Sequence, residues 1–311
     1  MDASIGRGLV PAPTVLTARV RTKPLLPTPA LRVSEGLWLK LENLQPTGSF
    51  KVRGFLNAVA QLDDARRAAG IVTVSAGNAA LAAAWVARRL GIRCRVVMFD
   101  TAPPPKRDGV LALGAEVLAW PRDEVLSWMA RRGWEEMPES FIHPFADEAV
   151  MAGHAGLGLE LVEQVPGLAR VVVPVGGGGL VVGVTSGLRA AGCTAEVVGA
   201  QSDGYPLWVR TMADGVPPTL TPATIADGTA APYDANMRPR LEVAVDRWVA
   251  VPEAGVRSAV GELSRTRKLV VEGGGAIAYA AALGLTETAG PTVAVISGGN
   301  IDPALLAQLL V

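Results

Sequence analysis

The chain has 311 residues, half of them hydrophobic and 19% charged, which suffices for one large or two modest globular domains and is too apolar for a disordered chain. Its 29 basic and 29 acidic residues cancel. That balance excludes the basic stripe of a nucleic-acid binder and offers no attraction to an anionic membrane, so neither partner is expected.

Met1 to Arg7 hold no basic region followed by an apolar run, so no signal peptide is expected. Leu37 to Leu41 read as a strand and Phe50 to Leu62 as a helix. Ile71 to Val74 are a short strand, followed by a helix over Ala79 to Leu90. Cys94 to Phe99 form a strand, Lys106 to Leu113 a helix, and Glu116 to Leu118 a strand again. Near Pro138 to Phe145 the alternation breaks in favour of Pro, Ser and His, a candidate crossing between domains. It resumes with a strand at Val171 to Val175, a helix through Arg189, and strands at Val197 to Gly199 and Val293 to Ile296. No charge falls between Arg170 and Arg189, a bilayer-sized gap, but Pro174 and six glycines there mark strand, loop and helix instead. The Pro-, Thr- and Asp-rich region from Pro206 to Pro239 is expected to wind over the surface. Alternating strand and helix predicts an α/β protein whose buried apolar strands run parallel with helices on both faces, in two lobes around a cleft. Cys94 and Cys193 lie far apart without metal-ligand spacing, and read as small buried hydrophobes of a cytoplasmic protein.

Four constellations carry chemistry. In Val171-Val172-Val173-Pro174-Val175-Gly176-Gly177-Gly178-Gly179-Leu180 a strand runs through four glycines into an apolar helix. Glycine lets successive N–H groups turn to one point, and the helix N-terminus adds positive character, which makes a phosphate cradle. A tight turn needs only one or two glycines. Neither G-x-G-x-x-G nor G-x-x-x-x-G-K-[ST] is present here, which speaks against a nicotinamide dehydrogenase.

In Pro46-Thr47-Gly48-Ser49-Phe50-Lys51 a lysine stands at a helix start, where the macrodipole disfavours it. Only five of the 29 basic residues are lysines (23, 40, 51, 106 and 268), so one kept at such a place points to a needed amine. Lysine, unlike arginine, deprotonates when desolvated and forms Schiff bases. Ser75-Ala76-Gly77-Asn78 opens a helix whose free N–H groups suit a carboxylate, or serve as a plain cap. In Val295-Ile296-Ser297-Gly298-Gly299-Asn300 a buried strand ends in a hydroxyl that can meet a ligand or simply close a turn. Cradle, Schiff-base lysine, carboxylate loop and strand-end serine together make a pyridoxal phosphate site.

From Thr28 to Asp302 the chain resembles the serine/threonine dehydratase family of fold-type II pyridoxal phosphate enzymes. The likeness rests on Leu39-Lys40-Leu41-Glu42, the segment Pro46 to Gly54, Ser75 to Asn78, Gly114-Ala115-Glu116-Val117 and His143-Pro144-Phe145. It continues through Gly176 to Leu180, Thr224-Ile225-Ala226-Asp227-Gly228 and Ser297 to Asn300. The resemblance implies a tryptophan synthase β-like fold of two lobes of twisted, mostly parallel sheets. Residues 1–66 and 147–311 would form the large cofactor domain and 67–146 the small one. It further implies Lys51 as the Schiff-base lysine and general base, Phe50 beside the ring, and Asn78 on the phenolic oxygen. Gly176, Gly177, Gly178, Gly179 and Leu180 would hold the phosphate, and Ser297 the pyridine nitrogen. Ser75, Ala76, Gly77 and Asn78 would take the substrate carboxylate. His143 is either bonded to backbone or on the substrate side, and His154 is expected to be structural and bonded to backbone.

The implied activity is loss of water from L-serine or L-threonine to give a 2-oxo acid and ammonia, in a cytoplasmic homodimer. Alternatives are a dehydratase of another hydroxy amino acid such as 3-hydroxyaspartate, an amino acid racemase, and a non-catalytic binding protein. Racemases of the family place a serine where this chain has Ala76, so racemisation is expected to be weak. The family's hard-cation ligands, a glutamate and an aspartate six residues on, are here Gln201 and Leu207, so no metal is expected. The family's Glu-Pro-Ala-Gly-Ala stands here as Glu272-Gly273-Gly274-Gly275-Ala276, and Gly153-His154-Ala155-Gly156 is closer to mammalian-type serine dehydratases. No regulatory domain is expected beyond Asp302, and with it no isoleucine feedback.

Overall fold

The computed structural model describes residues 8–286 and 288–311; the segment Met1 to Arg7, on which the reading about a signal peptide fell, lies outside them. In chain order come α1 (Ala12–Thr22), β1 (Ala30–Ser34), β2 (Leu37–Leu41), α2 (Lys51–Ala60), α3 (Asp64–Ala69), β3 (Ile71–Val74) and α4 (Asn78–Leu90). There follow β4 (Cys94–Phe99), α5 (Pro104–Ala112), β5 (Glu116–Trp120), α6 (Arg122–Ala130), β6 (Ser140–Phe141), α7 (Glu148–Gln164), β7 (Arg170–Pro174) and α8 (Gly179–Ala190). The chain closes with β8 (Glu196–Ser202), α9 (Leu207–Asp214), α10 (Arg238–Ala244), β9 (Arg247–Val251), α11 (Glu253–Arg267), α12 (Gly273–Leu283), β10 (Thr292–Ile296) and α13 (Pro303–Leu309).

Two sheets result. One has the order β1-β2-β10-β7-β8-β9, parallel except for the β1–β2 hairpin; the other has the order β5-β4-β3-β6 and is parallel throughout. Central strands such as β7 are buried along their whole length, as expected when helices cover both faces. Non-consecutive neighbours put the ends of β10 and β7 side by side, with Ala294 opposite Val172. Ser297 and the Gly176 loop therefore emerge together, where open parallel sheets place their ligands.

The large sheet is packed on one side by α7 and α8, which approach closely because Gly158, Gly183 and Gly187 face backbone of the opposite helix where a Cβ would collide. Its other side is covered by α11 and α12, with Val260, Leu263, Ile277 and Ala278 fully buried. The small sheet packs on α4, whose alanines (80, 82, 83 and 84) make it flat enough to lie close. Val52, Phe55 and Val59 of α2 enter this same core, so the helix that begins at Lys51 is fixed by the small sheet's packing as well as by α7.

The stretch Pro206 to Pro239 differs from the surface course expected of it. It begins with α9, and Trp208 and Ala226 within it are fully buried. Their apolar area outweighs the Pro and Thr that made the segment read as loop.

Candidate active site

Lys51 reaches its place through a tied turn. Gly48 takes φ +70°, and a Cβ there would strike Asn300, whose Nδ2 donates to the Thr47 carbonyl at 2.8 Å. The Phe50 N–H donates to the Ser297 carbonyl and the Gly299 N–H to the Gly48 carbonyl, which fastens the turn to the end of β10. Lys51 is then the first residue of α2, and its Nζ donates to the Pro144 carbonyl at 2.6 Å. Burial pushes the ammonium down to about 8, with the Glu272 charge opposing the shift. Its Nζ lies 5.1 Å from the centroid of the Phe50 ring.

Beneath Phe50 lies His154, ring centroids 4.8 Å apart and edge to face. The expected backbone bond of His154 is not made: both ring nitrogens lack a partner among the described residues. The ring lies against Gly54 and its Cβ against Gly183 in the α2–α7–α8 interior, and burial holds its pKa well below normal, so it is neutral. His143 does bond backbone, its Nδ1 accepting from the N–H groups of Ala146 (2.9 Å) and Phe145 (3.3 Å). Burial lowers it to about 4, so the imidazole is neutral with its proton on Nε2, and it shapes the loop that presents Pro144 to Lys51.

The glycine cradle follows β7. Gly178 takes φ +92°, and α8 begins at Gly179 without a side-chain cap. A Cβ on Gly177 would enter the Phe145 ring and one on Gly179 the Phe145 carbonyl, so the loop cannot carry side chains. The N–H groups from Gly176 to Val181 find no protein acceptor among the described residues. Six unpaired donors along a loop into a helix N-terminus fit a phosphate, and a desolvated lysine amine fits an aldehyde, so the donor set suits pyridoxal phosphate.

The Ser75–Asn78 loop leads into α4. Ser75 Oγ accepts from the Gly77 N–H at 3.0 Å, and Ala76 and Gly77 are only partly buried. Asn78 is held at both ends of its amide: Nδ2 donates to Glu272 Oε1 at 2.6 Å, and Oδ1 accepts from Asn300 Nδ2 at 2.7 Å. Ser297 is 5% exposed, and its Oγ donates to the Gly274 carbonyl at 3.3 Å.

Glu272, which heads the segment that departs from the family's Glu-Pro-Ala-Gly-Ala, has a place at the site that its sequence context does not indicate. It precedes α12, caps nothing, and reaches Asn78 because Gly298 leaves room where a Cβ would strike its carboxylate. Burial raises it to about 7, the Asn78 bond opposing and Asp227 adding to the shift. Lys106 of α5 and Asp227, which precedes α10, pair at 2.6 Å nearby. Behind α2 sits a second unforeseen group. Arg53 makes paired contacts to Glu42 (2.7 and 2.9 Å) and Glu160 (2.6 and 2.8 Å), and Lys40 bonds Glu160, Gln164 and the Thr28 carbonyl. All four charges are nearly inaccessible. Against the desolvation that would raise it, Arg53 holds Glu42 below the usual carboxylate range.

Fold, cradle and lysine define a pyridoxal phosphate enzyme, and the chain belongs to that family: residues 16–298 match the family described as pyridoxal-phosphate dependent enzyme. Within it the chain is of the fold-type II serine/threonine dehydratase group. It is 38% identical over 279 residues to the L-threonine ammonia-lyase of Thermotoga maritima, covering 88% of this chain and 69% of that protein. The maize serine racemase superposes with a TM-score of 0.90 at 30% identity, covering 97% of each chain. A threonine deaminase from T.th. gives 0.83 at 34%, covering 93% of this chain and 98% of that one. Among the described residues no helix is long and apolar enough to cross a membrane.

Proposed function

We propose that the protein is a β-hydroxy amino acid dehydratase that acts on L-threonine and L-serine and releases a 2-oxo acid and ammonia. The observation that carries the reading is the Lys51 amine at the start of α2, donating to the Pro144 carbonyl beside the Phe50 ring and lowered by burial to about 8. The names of two similar proteins, an L-threonine ammonia-lyase and a threonine deaminase, support the substrate class.

Bound there, pyridoxal phosphate would draw electrons from the substrate's Cα and acidify its proton. Gly176 to Leu180 would hold the phosphate, Phe50 would pack beside the ring, and Asn78 would face the phenolic oxygen, its amide already oriented by Glu272 and Asn300. Ser297 offers the ring nitrogen a neutral hydroxyl, which supplies no counter-charge to keep that nitrogen protonated. The N-terminus of α4, with Ser75, Ala76, Gly77 and Asn78, would take the substrate carboxylate. Lys51 acts as the general base at Cα, since an amine near 8 is largely able to accept a proton at mildly alkaline pH. Neutral His143 lines the substrate side and keeps the Pro144 loop in place.

The racemase reading is favoured by the maize neighbour. Against it, Ala76 has no exchangeable proton for the face opposite a lysine base. The reading also takes residues 67–146 as a small lobe closing over 1–66 and 147–311, in a cytoplasmic homodimer; Lys106 and Asp227 pairing across the two lobes supports the first part. The reading is tested by incubating the protein with L-threonine, L-serine and 3-hydroxyaspartate separately and measuring 2-oxo acid and ammonia. Equimolar products from threonine or serine are expected. Turnover of 3-hydroxyaspartate alone would move the assignment to a dicarboxylic substrate, and equilibration of L- and D-serine faster than 2-oxo acid release would move it to a racemase.

A further inference from the structure

Glycines confer freedom, and an anion site built from them needs something to fix the direction of its N–H groups. That restraint comes from β8 and α9. Gln201, 1% exposed, donates its Nε2–H to the Val175 carbonyl at 3.0 Å. Its Oε1 accepts from the N–H groups of Trp208 (2.7 Å) and Val209 (3.0 Å), closing the first turn of α9 where Pro206 provides no side-chain cap. Trp208, wholly buried, donates its indole N–H to the Gly176 carbonyl at 2.9 Å and packs against Tyr233. Two successive carbonyls, those of Val175 and Gly176, are thus engaged from one side.

Within a trans peptide the C=O and N–H point in opposite directions, and the described chain has no cis bond. Fixing the Val175 oxygen therefore aims the Gly176 N–H, and fixing the Gly176 oxygen aims the Gly177 N–H. These are the first two of the six donors that lack a protein acceptor among the described residues. We propose that Gln201 and Trp208 form a positioning clamp that turns the Gly176 and Gly177 N–H groups toward the cofactor phosphate, so that affinity for the phosphate depends on these two side chains. The clamp rests on the cofactor assignment, and it acts on binding of the phosphate rather than on the reach of Lys51.

The test titrates cofactor-free protein with pyridoxal 5'-phosphate and, separately, with pyridoxal, which carries the same aldehyde and no phosphate. The readout is each dissociation constant from the visible band. Trp208→Phe removes one donor and keeps an aromatic ring; it is expected to weaken pyridoxal phosphate about tenfold, the factor for one lost hydrogen bond, and to leave pyridoxal within about twofold. Gln201→Met removes the donor and both acceptances without adding charge and should do the same. Gln201→Glu keeps the acceptor toward α9 but cannot donate to Val175, so it should also lose affinity for the phosphate form alone. Equal losses for both ligands would mean a merely structural role and would overturn the clamp, as would unchanged affinity for both. Should Trp208→Phe fail to fold, the two Gln201 variants decide by the same ratio. Failure of the unaltered protein to bind pyridoxal phosphate would overturn the cofactor assignment itself, a separate result.

Discussion

Replacing Arg53 by leucine removes the centre of the buried charge group behind Lys51. The guanidinium is 2% exposed and is the main counter-charge of Glu42, which is wholly buried, and of Glu160. Lys40 remains as a partner for Glu160, so Glu42 is left with the hydroxyl of Thr28 as its principal donor. Breaking a buried pair from one side costs about 3–5 kcal/mol, a large share of the roughly 5–15 kcal/mol that hold a domain folded. At about 2–4 °C per kcal/mol for chains of a few hundred residues, the midpoint should fall by roughly 6–20 °C. The assay is urea and thermal unfolding of the cofactor-free protein, followed by tryptophan fluorescence and circular dichroism. Arg53→Leu combined with Glu42→Leu should lose at least about 1 kcal/mol less than the two single losses added together, because the stranded carboxylate is gone. An Arg53→Leu protein within about 1 kcal/mol of the parent would refute the reasoning, since the burial and the four short contacts would then carry no coupling.

Three further outcomes are expected. Association of pyridoxal phosphate with the cofactor-free protein needs the neutral Lys51 amine, so its rate should climb with pH through a midpoint near 8 and then level off; a midpoint near 10, the ordinary lysine range, would show that burial does not lower this lysine. Glu272 binds its proton more tightly folded than unfolded, so its contribution to stability is present in acid and fades as pH rises from the ordinary carboxylate value through about 7. Glu272→Gln should flatten that part of the stability profile, and an unchanged profile would count against the shift. Purified protein should convert L- to D-serine far more slowly than it releases pyruvate, and Ala76→Ser should raise the racemisation rate; rapid racemisation by the unaltered chain would contradict the role given to Ala76.

The elements with dense local signals were legible. The strands at Leu37–Leu41, Ile71–Val74 and Cys94–Phe99 have the bounds read from their apolar runs, and α4 differs from its reading by one residue. Strands β1 and β9 carry no strand signal because these edge strands hold arginine and are mostly only partly buried or exposed, and β6 has only two residues. Helix α12 starts in three glycines, which in sequence look like loop; glycine is needed at 275 because the helix start lies against the Gly298 backbone, where a Cβ would collide. At the site, Lys51 and the cradle are each local patterns of a few residues. Glu272 has no such pattern: its partner Asn78 is 194 residues away, and those of Arg53 and Lys40 on α7 are 107 and 120 away. Long-range polar pairs of this kind are set by how elements distant in the chain pack together, which a single chain's periodicity does not encode.

The most direct measurement is the visible spectrum of the protein and of Lys51→Ala, each reconstituted with pyridoxal phosphate, as L-threonine is added and 2-oxobutanoate is followed. A lysine-dependent band that threonine perturbs is expected while 2-oxobutanoate and ammonia accumulate, with loss of both band and turnover in Lys51→Ala. Turnover that survives in Lys51→Ala would contradict this expectation.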